Sequence, residues 1–344
     1  MEGGFFMNRS AELVHVTRGG KVESVHYGDV AIVDATGRLI AYAGAPREKF
    51  AFWRSSAKPF QAMPVVESGA VEEYGITEKE MAVFCASHNG EIFHTEAVES
   101  ILKKIGLNPS YLQCGVHEPM YAPRAAELKA AGIIASEIHC NCSGKHSGML
   151  TLNQKMGADP SYYTELRHPV QQAMLQSVSE FTGVNKEDIP IGIDGCGVPV
   201  HGLSVYHMAV AWARLLNPVG MSDKRHETAK RIRTAMMNHP EMIAGTGRLC
   251  TLLMSVAPGK IVAKSGAEAV YGFAIPELGW GMSLKIADGG SRATNAAVLG
   301  VLRQLHLLNE KEWETLLPYE VRTLRNHRND IIGEIKPAVE LTWL

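Results

Sequence analysis

The chain has 344 residues, enough for one large domain or two, and its 46% hydrophobic and 20% charged residues suit a globular protein with a sizeable buried core. A formal net charge of −2 lacks the basic excess that neutralising phosphates requires, which argues against nucleic acid as a partner. No apolar run reaches the roughly 18 residues of a membrane span, and six cysteines in so long a chain point to thiols or metal rather than a disulfide framework.

The start, Met1-Glu2-Gly3-Gly4-Phe5-Phe6-Met7, has neither the basic nor the apolar region of a signal peptide, so a cytoplasmic location is expected. Met7 is a candidate natural start. Strands come first: Leu13 to Thr17 and Val22 to Tyr27 flank Arg18-Gly19-Gly20-Lys21, and Val30 to Asp34 and Leu39 to Tyr42 flank Thr36-Gly37. Both read as hairpins. From Ala57 to about Val256 the chain reads as mainly helical, with helices over Thr95 to Ile105, His168 to Phe181, Leu203 to Leu215 and Asp223 to Met237. Strands return at Ile261 to Lys264, Val270 to Ile275 and Met282 to Ala287, before a last helix from Ser291 to Leu308. The expected class is α+β with a largely antiparallel sheet. Residues 1–56 and 257–344 form its discontinuous sheet-forming part, and 57–256 form an inserted helical part.

Three short strings carry the chemistry. Ser55-Ser56-Ala57-Lys58, Ser87-His88-Asn89 and Lys264-Ser265-Gly266 occur in that order and have the forms S-x-x-K, S-x-N and K-[ST]-G. The ordered trio marks serine acyl-transfer enzymes of the penicillin-recognising type, in which the first Ser is the nucleophile. A serine hydroxyl attacks poorly until a base takes its proton. Positions i and i+3 share a helix face, so Lys58 is expected to reach Ser55 as its general base. Ser87 and Lys264, the latter expected on an edge strand, make a second Ser–Lys pair. The same residues allow the opposite assignment, with Ser87 as nucleophile. Taken singly, each string has a plain reading too: a capping serine, a capping loop, a strand lysine. A further S-x-x-K, Ser100-Ile101-Leu102-Lys103, falls after the S-x-N string and fails the order.

Cysteines pose a separate question. His139-Cys140-Asn141-Cys142-Ser143-Gly144-Lys145-His146 gathers thiol and imidazole donors, and Asp194-Gly195-Cys196-Gly197-Val198-Pro199 sets another Cys in a Gly-rich turn. Zinc takes such ligands, yet this spacing leaves metal and buried thiols both open. Cys85, Cys114 and Cys250 read as buried thiols. Gly245-Thr246-Gly247-Arg248 reads as a turn or as a carboxylate clamp, and the amide of Asn89 as a hold on substrate or on the dyad.

Together with Arg54-Ser55-Ser56-Ala57-Lys58-Pro59-Phe60-Gln61, Cys85-Ala86-Ser87-His88-Asn89-Gly90-Glu91 and Lys264-Ser265-Gly266-Ala267-Glu268, the two cysteine strings and Gly245 to Arg248 resemble the rhizobial-type (class 3) L-asparaginases, the asparaginase II family. The resemblance runs from about residue 13 to 300. It implies a fold similar to serine β-lactamases and glutaminases, a three-layer α-β-α sandwich, and a homodimer. It implies hydrolysis of L-asparagine to L-aspartate and ammonia by Ser55 with Lys58 and Ser87 with Lys264. It also implies zinc held by Cys142, Lys145 and Cys196, with Arg54 and Asp194 nearby. The expected substrate contacts are Arg54, Asn89, Asp194 and Arg248. One departure is visible: Ala269 stands where the family pattern has Gly. Other readings are an L-glutaminase, a penicillin-recognising serine hydrolase, and, from another class, an inactive zinc- or redox-sensing binding protein.

Overall fold

Gly19 and Gly20 take φ values of 54° and 78°, the mirror-turn geometry that suits a tight hairpin and that glycine adopts at little cost. They join β1 (Ala11–Arg18) to β2 (Lys21–Asp34). The computed structural model describes residues 10–344; Met1 to Met7 lie outside the described residues. β2 is one 14-residue strand rather than two. The strand runs unbroken through Gly28, where only glycine fits because a Cβ there would meet Lys285 O of the neighbouring strand at 2.4 Å.

The remaining strands are β3 (Leu39–Ala43), β4 (Phe50–Phe52), β5 (Ile191–Ile193), β6 (Pro199–Ser204), β7 (Val262–Gly266), β8 (Val270–Ile275), β9 (Trp280–Ile286), β10 (Arg322–Arg325), β11 (Ile331–Pro337) and β12 (Thr342–Trp343). The large sheet runs β10-β11-β1-β2-β9-β8-β7, with β3 also on β2 and β12 on β3. Its pairings are antiparallel. Its strands come from residues 11–43 and 262–343, and the helices lie mainly between them. A separate small sheet has the order β4-β6-β5. The class is α+β with a largely antiparallel sheet. Strands β10 to β12, the small sheet and the helix Glu310–Glu320 go beyond the sequence reading. Among the described residues no helix is long and apolar enough to cross a membrane.

Helices cover both faces of the sheet. Along β2, Ala31 and Val33 pack with Val205, Ala209 and Ala213 of the helix Val205–Leu216. Val30 and Ile32 face the main core, to which the helix Thr294–Gln304 contributes Val298, Leu299 and Val301. This alternation is the period of two that strand geometry imposes. Helix Val205–Leu216 approaches so closely that a Cβ on Gly281 would fall 2.0 Å from Ala213 N, and one on Gly272 would fall 1.9 Å from Trp212 Nε1. Gly281→Ala therefore drives a methyl into helix backbone that has no room to move. A loss of about 3 kcal/mol is expected, seen as a fall in thermal unfolding midpoint with the same far-UV spectrum.

β7 lies at one end of the sheet and is its edge. The segment facing it is fixed by aromatic packing. Trp53 stacks on Phe60 with centroids 4.7 Å apart, and Phe60 meets Phe181 and Trp212 at 5.3 and 5.5 Å. These buried rings bracket Arg54 to Lys58.

Candidate active site

Lys58, Ser87 and Lys264 come from three separate elements. Lys58 opens the helix Lys58–Glu67, Ser87 lies in the loop between helices Glu78–Phe84 and Ile92–Lys104, and Lys264 is on β7. The loop is pinned by Ser87 N–H donating to Ile243 O at 2.9 Å and His88 N–H donating to Asn141 O at 3.1 Å. Both lysines are fully buried, and both amines lie 2.9 Å from Ser87 Oγ. Lys58 Nζ also donates to Ala86 O at 2.5 Å and to Cys142 Sγ at 3.3 Å. That gives three acceptors for the three N–H bonds of an ammonium. Lys264 Nζ meets Ser265 O at 2.8 Å. Burial drives the Lys264 pKa down, against an opposing push from Cys250, and the result is about 7. An amine with that pKa is half neutral at pH 7 and able to accept a proton.

The expected Ser55–Lys58 pair is not what the structure holds. Ser55 makes no side-chain hydrogen bond among the described residues, and Lys58 turns to Ser87 instead. Lys58 opens the α-helix just after the 3-10 turn Arg54 to Ala57, and its amine is taken up by three acceptors from other elements: Ala86 O, Ser87 Oγ and Cys142 Sγ. Ser55 nevertheless lines two cavities, of about 520 and 450 Å3, that also share Met120, Asn141 and Ala267. The larger holds Ser87, Asn89 and Arg248; the smaller holds Arg54, Cys142, Asp194 and Cys196.

The expected substrate contacts divide between these two cavities. Arg248 Nη1 donates to Asn89 Oδ1 at 3.2 Å, and its guanidinium forms no ion pair among the described residues. Arg54 Nε donates to Asp194 Oδ1 at 2.8 Å, so its charge is already matched. Arg54 holds φ 51°, a left-handed value that costs a non-glycine residue roughly 1–2 kcal/mol. Glu268 and Ala269 also sit at positive φ, 58° and 53°, in the turn closed by Val270 N–H to Ala267 O. Ala269 thus lies in a hairpin turn rather than in a strand. A glycine there suits the geometry because it carries no Cβ penalty. Ala269 is buried and is one of the residues lining the larger cavity.

All six thiols are free and buried. Cys142 lies within hydrogen-bonding reach of Cys140 and Cys196, whose donation holds its pKa well below the usual thiol range, with Lys58 and Lys145 adding to the effect against burial. Donation to Cys142 together with burial pushes Cys196 up. Lys145 Nζ stands 3.0 Å from Cys196 Sγ. Burial works to lower the Lys145 pKa, but Cys196, Cys142 and Asp194 outweigh it and hold it above the usual value. Spacing alone leaves Lys145 and His146 equal candidates, and in the structure it is the Lys145 amine that stands against a thiol. His146 Nδ1 is engaged by Tyr163 OH at 2.7 Å, and its buried Nε2 has no hydrogen-bond partner. Among the described residues no group of three or more His, Cys, Asp or Glu side chains is placed to hold a metal ion, so a site here requires Lys145 as a donor. Two thiols and an amine suit zinc and leave a fourth position free.

The structure adds two features that the strings do not show. The contact of Lys58 with Cys142 joins the cysteine cluster to Ser87. The buried phenol of Tyr271 lines the larger cavity, and burial together with the neighbouring Cys250 thiol raises its pKa well above the ordinary value, keeping it a neutral donor. A tyrosine in a strand-like apolar run gives no sequence signal for such a place.

Comparison with solved structures finds low likeness. The protein Mglu shares 15% identity, with 82% of this chain and 68% of that chain covered and a TM-score of 0.38. A β-lactamase from Mycobacterium bovis shares 13%, covering 80% and 94% with a TM-score of 0.41. A Bacillus glutaminase shares 11%, covering 81% and 91% with a TM-score of 0.38. Comparison with curated proteins returned no match. The sequence profile of L-asparaginase II matches residues 14–337, which takes in every residue of the site, and the chain belongs to the L-asparaginase II family.

Proposed function

We propose that this amidohydrolase cleaves the side-chain amide of L-asparagine, with Ser87 as nucleophile and Lys264 as general base. One observation carries the reading: Ser87 Oγ lies 2.9 Å from each of two buried amines, one of which has a pKa of about 7. With Lys264 neutral, the 2.9 Å contact runs from the Ser87 hydroxyl to the amine lone pair. Ser87 Oγ attacks the amide carbon as its proton passes to Lys264. Collapse of the tetrahedral intermediate breaks the C–N bond, and the Lys264 ammonium gives its proton to the departing ammonia. Water then attacks the aspartyl ester as Lys264 again takes a proton, the bond to Ser87 Oγ breaks, Lys264 returns that proton to Oγ, and aspartate leaves.

Lys58 orients Ser87 through its donations to Ser87 Oγ and Ala86 O. The oxyanion is assigned to backbone N–H groups of Ser55 and Ala267, which line both cavities. Ser87 N–H is spoken for by Ile243 O. Arg248, without an ion-pair partner in the same cavity, takes the α-carboxylate. Such a pocket also has room for glutamine, so an L-glutaminase is the second reading. Ammonia release from asparagine and glutamine, with a chromogenic β-lactam as control, tests the choice. Asparagine should be turned over far faster than the other two, and a preference for glutamine or the lactam refutes it.

Zinc belongs to the same proposal, held by Cys142, Lys145 and Cys196. When bound it would supply a Lewis acid beside the substrate amide. Lys145 must lose its proton to ligate, so uptake releases protons and weakens in acid. One Zn²⁺ per chain is expected by elemental analysis. Cys142→Ser and Cys196→Ser should lose it because a hydroxyl ligates far less well than a thiolate. Cys85→Ser, Cys114→Ser and Cys250→Ser should keep it, and metal loss in those three would move the site elsewhere. The proposal extends to a homodimer in the cytoplasm, for which the native mass in solution should be twice the 37.5 kDa of one chain.

A further inference from the structure

Two strings that read separately in the sequence form one clamp. Ser87-His88-Asn89-Gly90-Glu91 ends in a buried carboxylate. Glu91 Oε2 accepts from Thr246 N–H at 2.9 Å, and Glu91 Oε1 accepts from the Thr246 hydroxyl at 2.6 Å. Asn89 Nδ2 donates to Thr246 O at 3.0 Å. Thr246 is therefore held at its amide, its hydroxyl and its carbonyl. The residues on either side are Gly245 at φ 99° and Gly247 at φ 75°, the positions with the greatest backbone freedom to lose. The turn is seated directly on the carboxylate: a Cβ on Gly245 would fall 2.3 Å from Glu91 Oε2.

Among the described residues Glu91 forms no ion pair. A carboxylate buried without a cation destabilises a fold unless hydrogen bonds replace its water. Both of its bonds here go to the one residue that anchors the turn before Arg248. Arg248 in turn meets the other arm of the clamp, Asn89 Oδ1, at 3.2 Å. The guanidinium is thus fixed in the cavity of Ser87 before any substrate enters, and preorganisation of this kind lowers the ordering cost of binding.

We propose that Glu91 is a positioning residue for substrate selection: by clamping Thr246 it fixes the Arg248 guanidinium, and so sets the affinity for amides that carry an α-carboxylate. The inference rests on Arg248 as the partner of that carboxylate, as given under Proposed function. Glu91 touches neither the substrate nor the reacting atoms.

The test is steady-state kinetics of the purified full chain with L-asparagine. It is paired with β-alaninamide, which keeps the amine and the amide but lacks the α-carboxylate and serves as substrate or as competitive inhibitor. Glu91→Gln should raise KM for asparagine about tenfold, one charge-assisted hydrogen bond's worth of affinity. It should leave kcat within about twofold and leave the β-alaninamide constant unchanged. Thr246→Val, which deletes only the hydroxyl bond, should shift KM the same way by less, and it stands in if Glu91→Gln fails to fold. Thr246→Ser keeps the bond and should keep the wild-type KM. Equal losses with both compounds, or an unchanged asparagine KM in Glu91→Gln and Thr246→Val while Arg248→Gln raises it, would overturn the clamp alone. An asparagine KM that Arg248→Gln leaves untouched would remove the carboxylate reading and the clamp together. No ammonia from asparagine with the wild type would remove the function and, with it, the clamp.

Discussion

Ser87→Ala is expected to lower kcat for asparagine by about 10^4-fold, the scale on which a covalent nucleophile is lost, while the protein stays folded. The hydroxyl is the one group that both buried amines share, so no neighbour replaces it. Removing it leaves Lys58 and Lys264 each one partner short, a cost of roughly 1–3 kcal/mol. That is tolerable for a core of this size. Ser55→Ala is the control. Ser55 lines both cavities but bonds to neither lysine, so its loss should weaken turnover about 10- to 100-fold, through substrate placement and not through loss of the nucleophile. If the two effects come out reversed, Ser55 attacks and Ser87 serves the water step.

Lys264 should govern the pH dependence. kcat/KM should rise about tenfold per pH unit in acid, bend near pH 7 and level above it. Lys264→Met should lose about 10^3-fold in kcat with no such bend. Lys264→Arg should be equally inactive, since a guanidinium keeps its proton. Stability gives a second, independent readout. The unfolded chain holds the Lys264 proton up to the ordinary value of 10.5, and the folded chain releases it near 7. Between those limits the unfolded state binds more protons, so wild-type stability contains a contribution that rises with pH. Lys264→Met removes that contribution. Thermal unfolding of both proteins at pH 7 and pH 9 measures it, and identical pH responses would show that Lys264 is protonated throughout.

The three strings were legible because each is short and their order is informative. Their pairing was not. Ser55 and Lys58 look like neighbours three apart, but the acceptors that take the Lys58 amine all come from other elements. The partner that Lys58 does have is 29 residues away, and its thiol contact is 84 away. No local period encodes such contacts. Nor does spacing reveal that Cys142 touches the amine beside Ser87, which merges two questions that the sequence keeps apart. The antiparallel sheet closed by both ends of the chain follows from runs of adjacent strands with turn signals at each end of the chain, although β8 is buried along its whole length and shows no period of two. Strands β4 and β5 have three residues each, too few to show a period of two. Glu91 and Thr246 sit 155 residues apart, and neither type on its own suggests a clamp.

The most direct test of Ser87 as nucleophile is to acid-quench the enzyme during turnover of asparagine and map the peptides by mass. An aspartyl ester on the peptide carrying Ser87, absent from Ser87→Ala, is the expected result. The same ester on the peptide carrying Ser55 would contradict it.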